Sequence, residues 1–219
     1  MKNKIVSVQE AVSHINDGTS VMIGGFLGCG TSELMMDAIV EKGAKDLTII
    51  GNDTGFENVG AGKLICAKLV KHAIATHIGT NKETGAQMTS GETKVTLVPQ
   101  GTLVEQIRAA GMGLGAVVTP TGVGTDVAEG KQTITLNGVE YIIEMPVKAD
   151  VAILKGTIVD KAGNVYYEGT TKNFQQVMAM AADTVIVEAE KLVEVGELDP
   201  NYVMTPAILV DYIVVGGDK

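Results

Sequence analysis

Two side-chain amides stand where the chain leaves a predicted strand. Asn52 comes after a predicted strand at residues 46–50, and Gln100 comes after another at residues 95–98. If both strands belong to one parallel sheet, their carboxyl ends lie at the same edge, and the two amides converge there. A neutral amide can hold a carboxylate without a large charge penalty, so the pair is a candidate carboxylate or oxyanion site. Capping a turn is the alternative role for each amide.

A glycine-rich loop is the second candidate site. It joins a predicted strand at residues 21–23 to a helix with Ser32 as its N-cap and Gly43 just past its end. Such a loop admits positive φ and brings a ligand close to backbone N–H groups at a helix N-terminus. The alternative is a tight turn that binds nothing. The candidate binding residues are Gly24, Gly25, Phe26, Leu27, Gly28, Cys29 and Gly30.

Known nucleotide motifs do not explain this loop. Residues 25–32 have the P-loop spacing, but Thr31 occupies the position of the phosphate-binding lysine. The dinucleotide pattern fails at Glu33, where glycine or alanine is required. A second partial match, Gly111-Met112-Gly113, follows a predicted helix instead of a strand. The loop therefore predicts neither an ATPase nor a dinucleotide enzyme.

Other reactive side chains receive structural interpretations. Cys29 lies in the glycine loop, but no histidine is near it in sequence to act as a base. Glu57 is predicted to be a solvated loop carboxylate. His77, at a predicted strand end, is interpreted as structural. Cys29 and Cys66 have no metal-ligand spacing, so no metal site is predicted. A predicted solvated face contains Glu188, Glu190, Glu194 and Glu197.

The elements that must position these residues indicate an α/β protein. The chain has 219 residues, of which 45% are hydrophobic, and we interpret residues 1–219 as one domain. Strands and helices alternate as far as residue 111, which predicts an open, mainly parallel sheet flanked by helices. An antiparallel hairpin excursion is predicted near residues 116–146, around Asn137-Gly138. Further predictions are a polar loop at 79–92, a helix capped by Thr102, and a helix at 173–182.

The net charge of −9 argues against a nucleic-acid partner, since phosphates require a basic surface. The amino terminus lacks the apolar core of a signal peptide, and no apolar run is long enough to cross a bilayer. We therefore expect a cytoplasmic protein with no membrane partner.

The glycine loop resembles the α-subunit signature of the class I coenzyme A transferases. The signature is an Asp-Gly pair, three apolar residues, Gly-Gly-Phe, a further glycine and a proline. The matching residues are Asp17-Gly18, 21–23, Gly24-Gly25-Phe26 and Gly30. Ser32 replaces the proline, and both residue types initiate helices. Further blocks that resemble the family are 50–53, 77–81, 99–103, 113–115, 119–125, 162–164, 171–174 and 181–183.

The resemblance is strongest to the α subunits of bacterial acetate or butyrate–acetoacetate CoA-transferases. It implies that coenzyme A is a substrate, that no cofactor is bound permanently, and that the acids are acetate, acetoacetate or butyrate. In this family the attacking glutamate lies in a Glu-Asn-Gly context on a β-type partner chain, where it forms a glutamyl-CoA thioester. This chain has only Glu57-Asn58-Val59. The resemblance therefore implies a β-type partner in a heterotetramer of two α and two β chains.

By the same resemblance, Asn52 and Gln100 match the active-site amides of the family, and residues 24–30 match its presumed coenzyme A-binding stretch. Three alternatives stay open at this stage. They are the α-type chain of a succinyl-CoA:3-oxoacid CoA-transferase, a sugar-phosphate aldose–ketose isomerase on a related fold, and a non-catalytic acyl-CoA binding module. The isomerase would need its own acid and base in this chain, whereas the transferase would not.

Overall fold

The computed structural model describes residues 3–216, in which strands and helices alternate along the first half. The strands are β1 Ser20–Ile23, β2 Leu47–Gly51, β3 Val70–Ala75, β4 Lys94–Leu97, β5 Val117–Thr119, β6 Thr133–Leu136, β7 Val139–Glu144, β8 Ala149–Asp160, β9 Val165–Tyr166, β10 Ala182–Val193 and β11 Tyr212–Val215. The α-helices are α1 Val8–Val12, α2 Glu33–Lys42, α3 Gly62–Cys66, α4 Lys82–Ser90, α5 Gln100–Gly111 and α6 Gln175–Met178. Short 3₁₀ helices span Asp126–Ala128, Gly169–Lys172, Pro200–Tyr202 and Ala207–Leu209.

The larger sheet has the strand order β11-β10-β8-β1-β2-β3-β4. Every pairing along this order is parallel, and β9 adds an antiparallel strand beside β8. The predicted open, mainly parallel sheet flanked by helices is confirmed. Because β1, β2, β3 and β4 all run in one direction, their carboxyl ends emerge at a single edge of the sheet. We call this edge the carboxyl edge.

Both faces of the larger sheet are buried at its centre, which explains why residues 21–23 of β1 are all apolar. In β1, Val21 and Ile23 pack on one face of the sheet together with Met36 from α2. Met22 points to the opposite face and packs with Leu103 from α5. The strand period of two residues thus divides one short apolar segment between two cores. Among residues 3–216, no helix combines the length and apolar character needed to cross a bilayer.

Helix α2 begins and ends where its sequence signals predict. The Ser32 hydroxyl accepts a hydrogen bond from Met35 N at 3.2 Å. At the other end, Gly43 adopts φ +71° and donates its N–H to Ile39 O. These caps fix the helix axis directly behind the glycine loop.

The predicted hairpin excursion is also confirmed, and it has one more strand than expected. Strands β5, β7 and β6 form a separate antiparallel sheet in that order. Asn137 and Gly138 both have positive φ, of 53° and 79°, as a two-residue hairpin turn requires. One face of this sheet packs on α5, where Gln106 donates a hydrogen bond to the buried Glu144.

The predicted polar loop at residues 79–92 is wrong, because helix α4 occupies most of it. Asn81 caps this helix by accepting a hydrogen bond from Thr84 N at 3.3 Å. The helix was missed because its buried positions are polar. Thr84 bonds Thr54, and Gln87 donates to Ile65 O, so these contacts replace the apolar stripe that sequence periodicity detects.

Two helix boundaries also differ from prediction. Helix α5 begins at Gln100 after Pro99, so Thr102 lies inside the helix instead of capping it. The helix predicted at 173–182 is limited to Gln175–Met178, and β10 already begins at Ala182.

Candidate functional site

The two candidate amides meet at the carboxyl edge. Asn52 directly follows β2, and Gln100 is the first residue of α5, which follows β4. Gln100 Nε2 lies 2.7 Å from Asn52 Oδ1 and donates a hydrogen bond to it. The structure therefore brings together two side chains that are 48 residues apart in sequence.

Asn52 is held from several directions and yet keeps one group unused. The residue is 1% exposed. The Thr76 hydroxyl lies 2.7 Å from Asn52 O and 3.0 Å from Asn52 Oδ1. Within residues 3–216, Asn52 Nδ2 has no acceptor. A buried donor without an acceptor costs about 1–3 kcal/mol, so this group favours a ligand that supplies an oxygen atom.

The glycine loop is a tight turn at the end of β1. Phe26 and Cys29 exchange two backbone hydrogen bonds, each of 2.9 Å. Between them, Leu27 and Gly28 have φ values of +50° and +84°. A positive φ is unfavourable for a leucine. Asp53 stabilises this conformation by accepting a hydrogen bond of 3.0 Å from Leu27 N. Asp53 thereby ties the loop to the end of β2.

Most backbone N–H groups of this loop already have acceptors in the protein. Gly24 donates to Ile153 O and Gly25 donates to Asn173 O, while Phe26, Leu27 and Cys29 make the bonds described above. In the part of the chain that the structure describes, the remaining N–H groups, those of Gly28 and Gly30, have no acceptor. Coenzyme A binding by residues 24–30 stays a prediction, and these two groups are the backbone donors that the loop has free for it.

Gln175 packs against the inner side of the glycine loop, and no sequence signal identified it. It is fully buried, donates from Nε2 to Gly30 O at 2.6 Å, and accepts from Lys155 N at 3.3 Å. A Cβ atom on Gly24 would overlap Gln175 Oε1. Gly24 is therefore needed for the approach of a protein side chain.

Glu188 is not part of a solvated face, which corrects the prediction. It is 6% exposed, and it accepts a hydrogen bond of 2.5 Å from the Ser32 hydroxyl. Lys155 Nζ lies 3.6 Å from its other oxygen. Strand β10 continues past this position to Val193 and brings Glu188 beside the start of α2. The other members of the predicted face, Glu190, Glu194 and Glu197, are exposed.

The remaining candidates lie at the surface. Cys29 is exposed, and its Sγ is 3.4 Å from the Thr170 hydroxyl. Glu57 and His77 are exposed as well. Among residues 3–216, no three His, Cys, Asp or Glu side chains cluster as metal ligands would.

Comparisons with known proteins cover the whole described chain. The family model for "Coenzyme A transferase" matches residues 5–216. The acetoacetyl-CoA:acetate/butyrate CoA transferase alpha subunit of Clostridium acetobutylicum is 53% identical over 214 residues, which cover 98% of each chain. The alpha subunit of the acetate CoA-transferase of Escherichia coli K12 is 49% identical over the full length of both chains.

Among solved structures, the acyl-CoA transferase YdiF of E. coli O157:H7, in a thioester complex with CoA, shares this fold. The TM-score is 0.89 at 23% identity. The match covers 100% of this chain but 48% of the YdiF chain, so the present chain spans about half of that protein.

The fit between Gly24 and Gln175 can be tested by unfolding. We expect Gly24→Ala to destabilise the protein by about 1–3 kcal/mol, because its methyl group overpacks a fully buried side chain. Gly85→Ala is the matched control. Gly85 lies in α4, and among residues 3–216 no atom outside its own helix lies within 4 Å of the place where a Cβ would stand. Alanine there should stabilise the protein by about 0.5–1 kcal/mol. Urea unfolding of both variants measures the difference, and a Gly24→Ala variant as stable as the wild type would contradict the packing argument.

Proposed function

Because this chain belongs to the coenzyme A transferase family, we propose that it is the α subunit of an enzyme that transfers coenzyme A between a short-chain acyl-CoA and a carboxylic acid. The proposed acids are acetate, acetoacetate and butyrate. Full-length similarity to one alpha subunit named for acetoacetyl-CoA, acetate and butyrate, and to another named for acetate, supports this choice. Family membership also makes the isomerase alternative unnecessary.

The observation that carries the proposal is the hydrogen bond between Gln100 and Asn52 at the carboxyl edge. Among residues 3–216, one N–H of Gln100 Nε2 and the buried N–H₂ group of Asn52 then have no acceptor, and we propose that a substrate oxygen supplies it once the partner chain completes the site. A transferase of this type passes through tetrahedral centres, each with a negatively charged oxygen. Donors that are already in place stabilise that charge without reorganisation during the reaction.

In the proposed reaction, a glutamate carboxylate attacks the acyl-CoA carbonyl and expels the coenzyme A thiolate, which leaves a mixed anhydride. The thiolate then attacks the glutamyl carbonyl, so that the first acid leaves and a glutamyl-CoA thioester remains. A second carboxylate reverses both steps and departs as the new acyl-CoA. No redox change or external proton is needed. The free N–H groups of Asn52 and Gln100 would face the oxyanion at each addition.

We propose that the glutamate belongs to a β-type partner chain. Asp53, the acid that follows Asn52 in this chain, accepts backbone hydrogen bonds on both of its oxygens, from Leu27 N and Gly55 N. A carboxylate engaged in this way is held in place and is a poor nucleophile. Glu57 lies in an exposed loop segment outside this network. The proposed assembly contains two chains of each kind and works on cytoplasmic acyl-CoA, with residues 1–219 as one domain.

The outer face of the small sheet is the proposed docking surface for the β-type chain. Cross-strand pairing places six apolar side chains on this face. They are Val118, Ile134, Leu136, Val139, Tyr141 and Ile143. Val118, Ile134, Leu136 and Val139 keep 44%, 38%, 44% and 49% of their surface exposed, an unusual arrangement for a free surface.

Two observations favour the β-type chain over a second copy of this chain as the occupant. A groove of about 530 Å³ runs from Gly101 to Val118 on the outer face, so a chain docked there reaches the residue that follows Gln100 in sequence. The net charge of −9 also makes two copies of this chain repel each other.

The first test concerns Gln100. Replacement by alanine removes a hydrogen bond to a charged oxygen, worth about 1.5–3 kcal/mol, so kcat/KM of the complex should fall about 10- to 150-fold. Gln9→Ala, at an exposed position of α1, is the matched control and should leave the kinetics unchanged. If the two variants have the same kinetics, Gln100 has only a structural role at the start of α5.

The second test locates the thioester. The complex is incubated with acyl-CoA and no acceptor acid, and hydroxylamine converts the thioester to a hydroxamate for mass spectrometry. The modified glutamate should lie on the β-type chain, and this chain alone should form no adduct, because the proposed donors act only on an acyl group that the partner's glutamate attacks. A modified carboxylate on this chain, at Glu57 or Asp53, would overturn the assignment.

The third test concerns docking. Leu136→Lys places a charge on the outer face, and Thr135→Lys places the same charge on the opposite face of the same strand. Loss of Leu burial costs about 1.5–3 kcal/mol, so Leu136→Lys should weaken association with the β-type chain at least about tenfold, and Thr135→Lys should not. Light scattering and titration of the purified chains measure this. Unchanged association, or loss only of self-association, would refute the proposed occupant.

A further inference from the structure

We propose that Thr76 is a positioning residue for the transfer reaction, acting through Asn52. This inference rests on the proposed function. Thr76 lies one residue beyond β3, the strand that separates β2 from β4 in the sheet. It therefore stands between the two strand ends that carry Asn52 and Gln100.

The Thr76 hydroxyl lies within hydrogen-bond distance of both the main-chain oxygen and the side-chain oxygen of Asn52. Its Oγ1 lies 2.7 Å from the main-chain oxygen of Asn52 and 3.0 Å from the side-chain Oδ1. The Thr76 backbone N–H also donates to Asn52 O at 2.9 Å. These contacts fold the Asn52 side chain back against the end of β3.

The consequence is a defined direction for the Asn52 amide. Gln100 Nε2 and the Thr76 hydroxyl approach Oδ1 from two different strand ends. Since both donors meet the oxygen, the N–H₂ group points away from them, and it has no acceptor among residues 3–216. An oxyanion donor must be in position before charge develops, because reorientation during the reaction cancels its benefit. Thr76 supplies this restraint without contacting the substrate.

A restraint of this kind predicts an effect mainly on kcat. Thr76→Val has nearly the same shape but no hydroxyl, so Asn52 Oδ1 keeps only the Gln100 donor and the amide is held less firmly, while the backbone bond is kept. We expect kcat of the assembled complex to fall about ten- to a hundredfold, with KM for acyl-CoA changed less than about threefold. Thr76→Ser keeps the hydroxyl and should retain activity within about threefold of the wild type.

A double-mutant cycle separates positioning from a merely structural role. Single-turnover formation of the thioester is measured for Thr76→Val, Asn52→Ala and the double variant. If Thr76 acts through Asn52, the double variant should be no slower than Asn52→Ala alone. Additive losses, wild-type rates in Thr76→Val, or equal losses in Thr76→Val and Thr76→Ser would each overturn the inference. Absence of transferase activity in the wild-type complex would instead refute the proposed function itself.

Discussion

The parallel pairing of β1, β2, β3 and β4 is the constraint on which the rest of the site depends. Neighbouring parallel strands end at the same edge of a sheet, so the residues that follow each strand lie side by side along that edge. The glycine loop, Asn52, Thr76 and Gln100 follow these four strands in that order. The sheet places these four strand ends side by side, and side-chain hydrogen bonds then link Leu27 to Asp53, and Asn52 to Thr76 and Gln100.

The helices behind this edge then determine how much of each loop remains available. Ser32 caps α2 and also donates to Glu188, which links the helix start to β10. Gln175 and Asp53 fill the inner side of the glycine loop. The glycines are thus needed first for close packing within the protein, and the loop presents only part of its backbone to the outside. A glycine-rich loop is weaker evidence for a ligand site than its composition suggests.

Local signals made part of this structure predictable. The Ser32 and Gly43 caps and the Asn137-Gly138 turn depend on neighbouring residues, and all were predicted correctly. The convergence of Asn52 and Gln100 also followed, because two strands of one parallel sheet end at the same edge. The partners of Glu188 and Gln175 could not be predicted, since Ser32 and Gly30 lie 156 and 145 residues away. Helix α4 was missed because polar hydrogen bonds replace its apolar stripe.

The use of neutral amides at the carboxyl edge is consistent with a reaction that exchanges one carboxylate for another. A lysine or arginine at this position would bind the ionised acids strongly before reaction, and equal binding of ground state and transition state does not raise kcat. An amide donor binds a carboxylate only moderately in the ground state and gains strength as charge concentrates on one oxygen of a tetrahedral centre. Asp53, which follows Asn52 in sequence, accepts hydrogen bonds from Leu27 N and Gly55 N. The edge therefore has amide donors beside a carboxylate that is already engaged, which agrees with the proposal that a partner chain carries the glutamate.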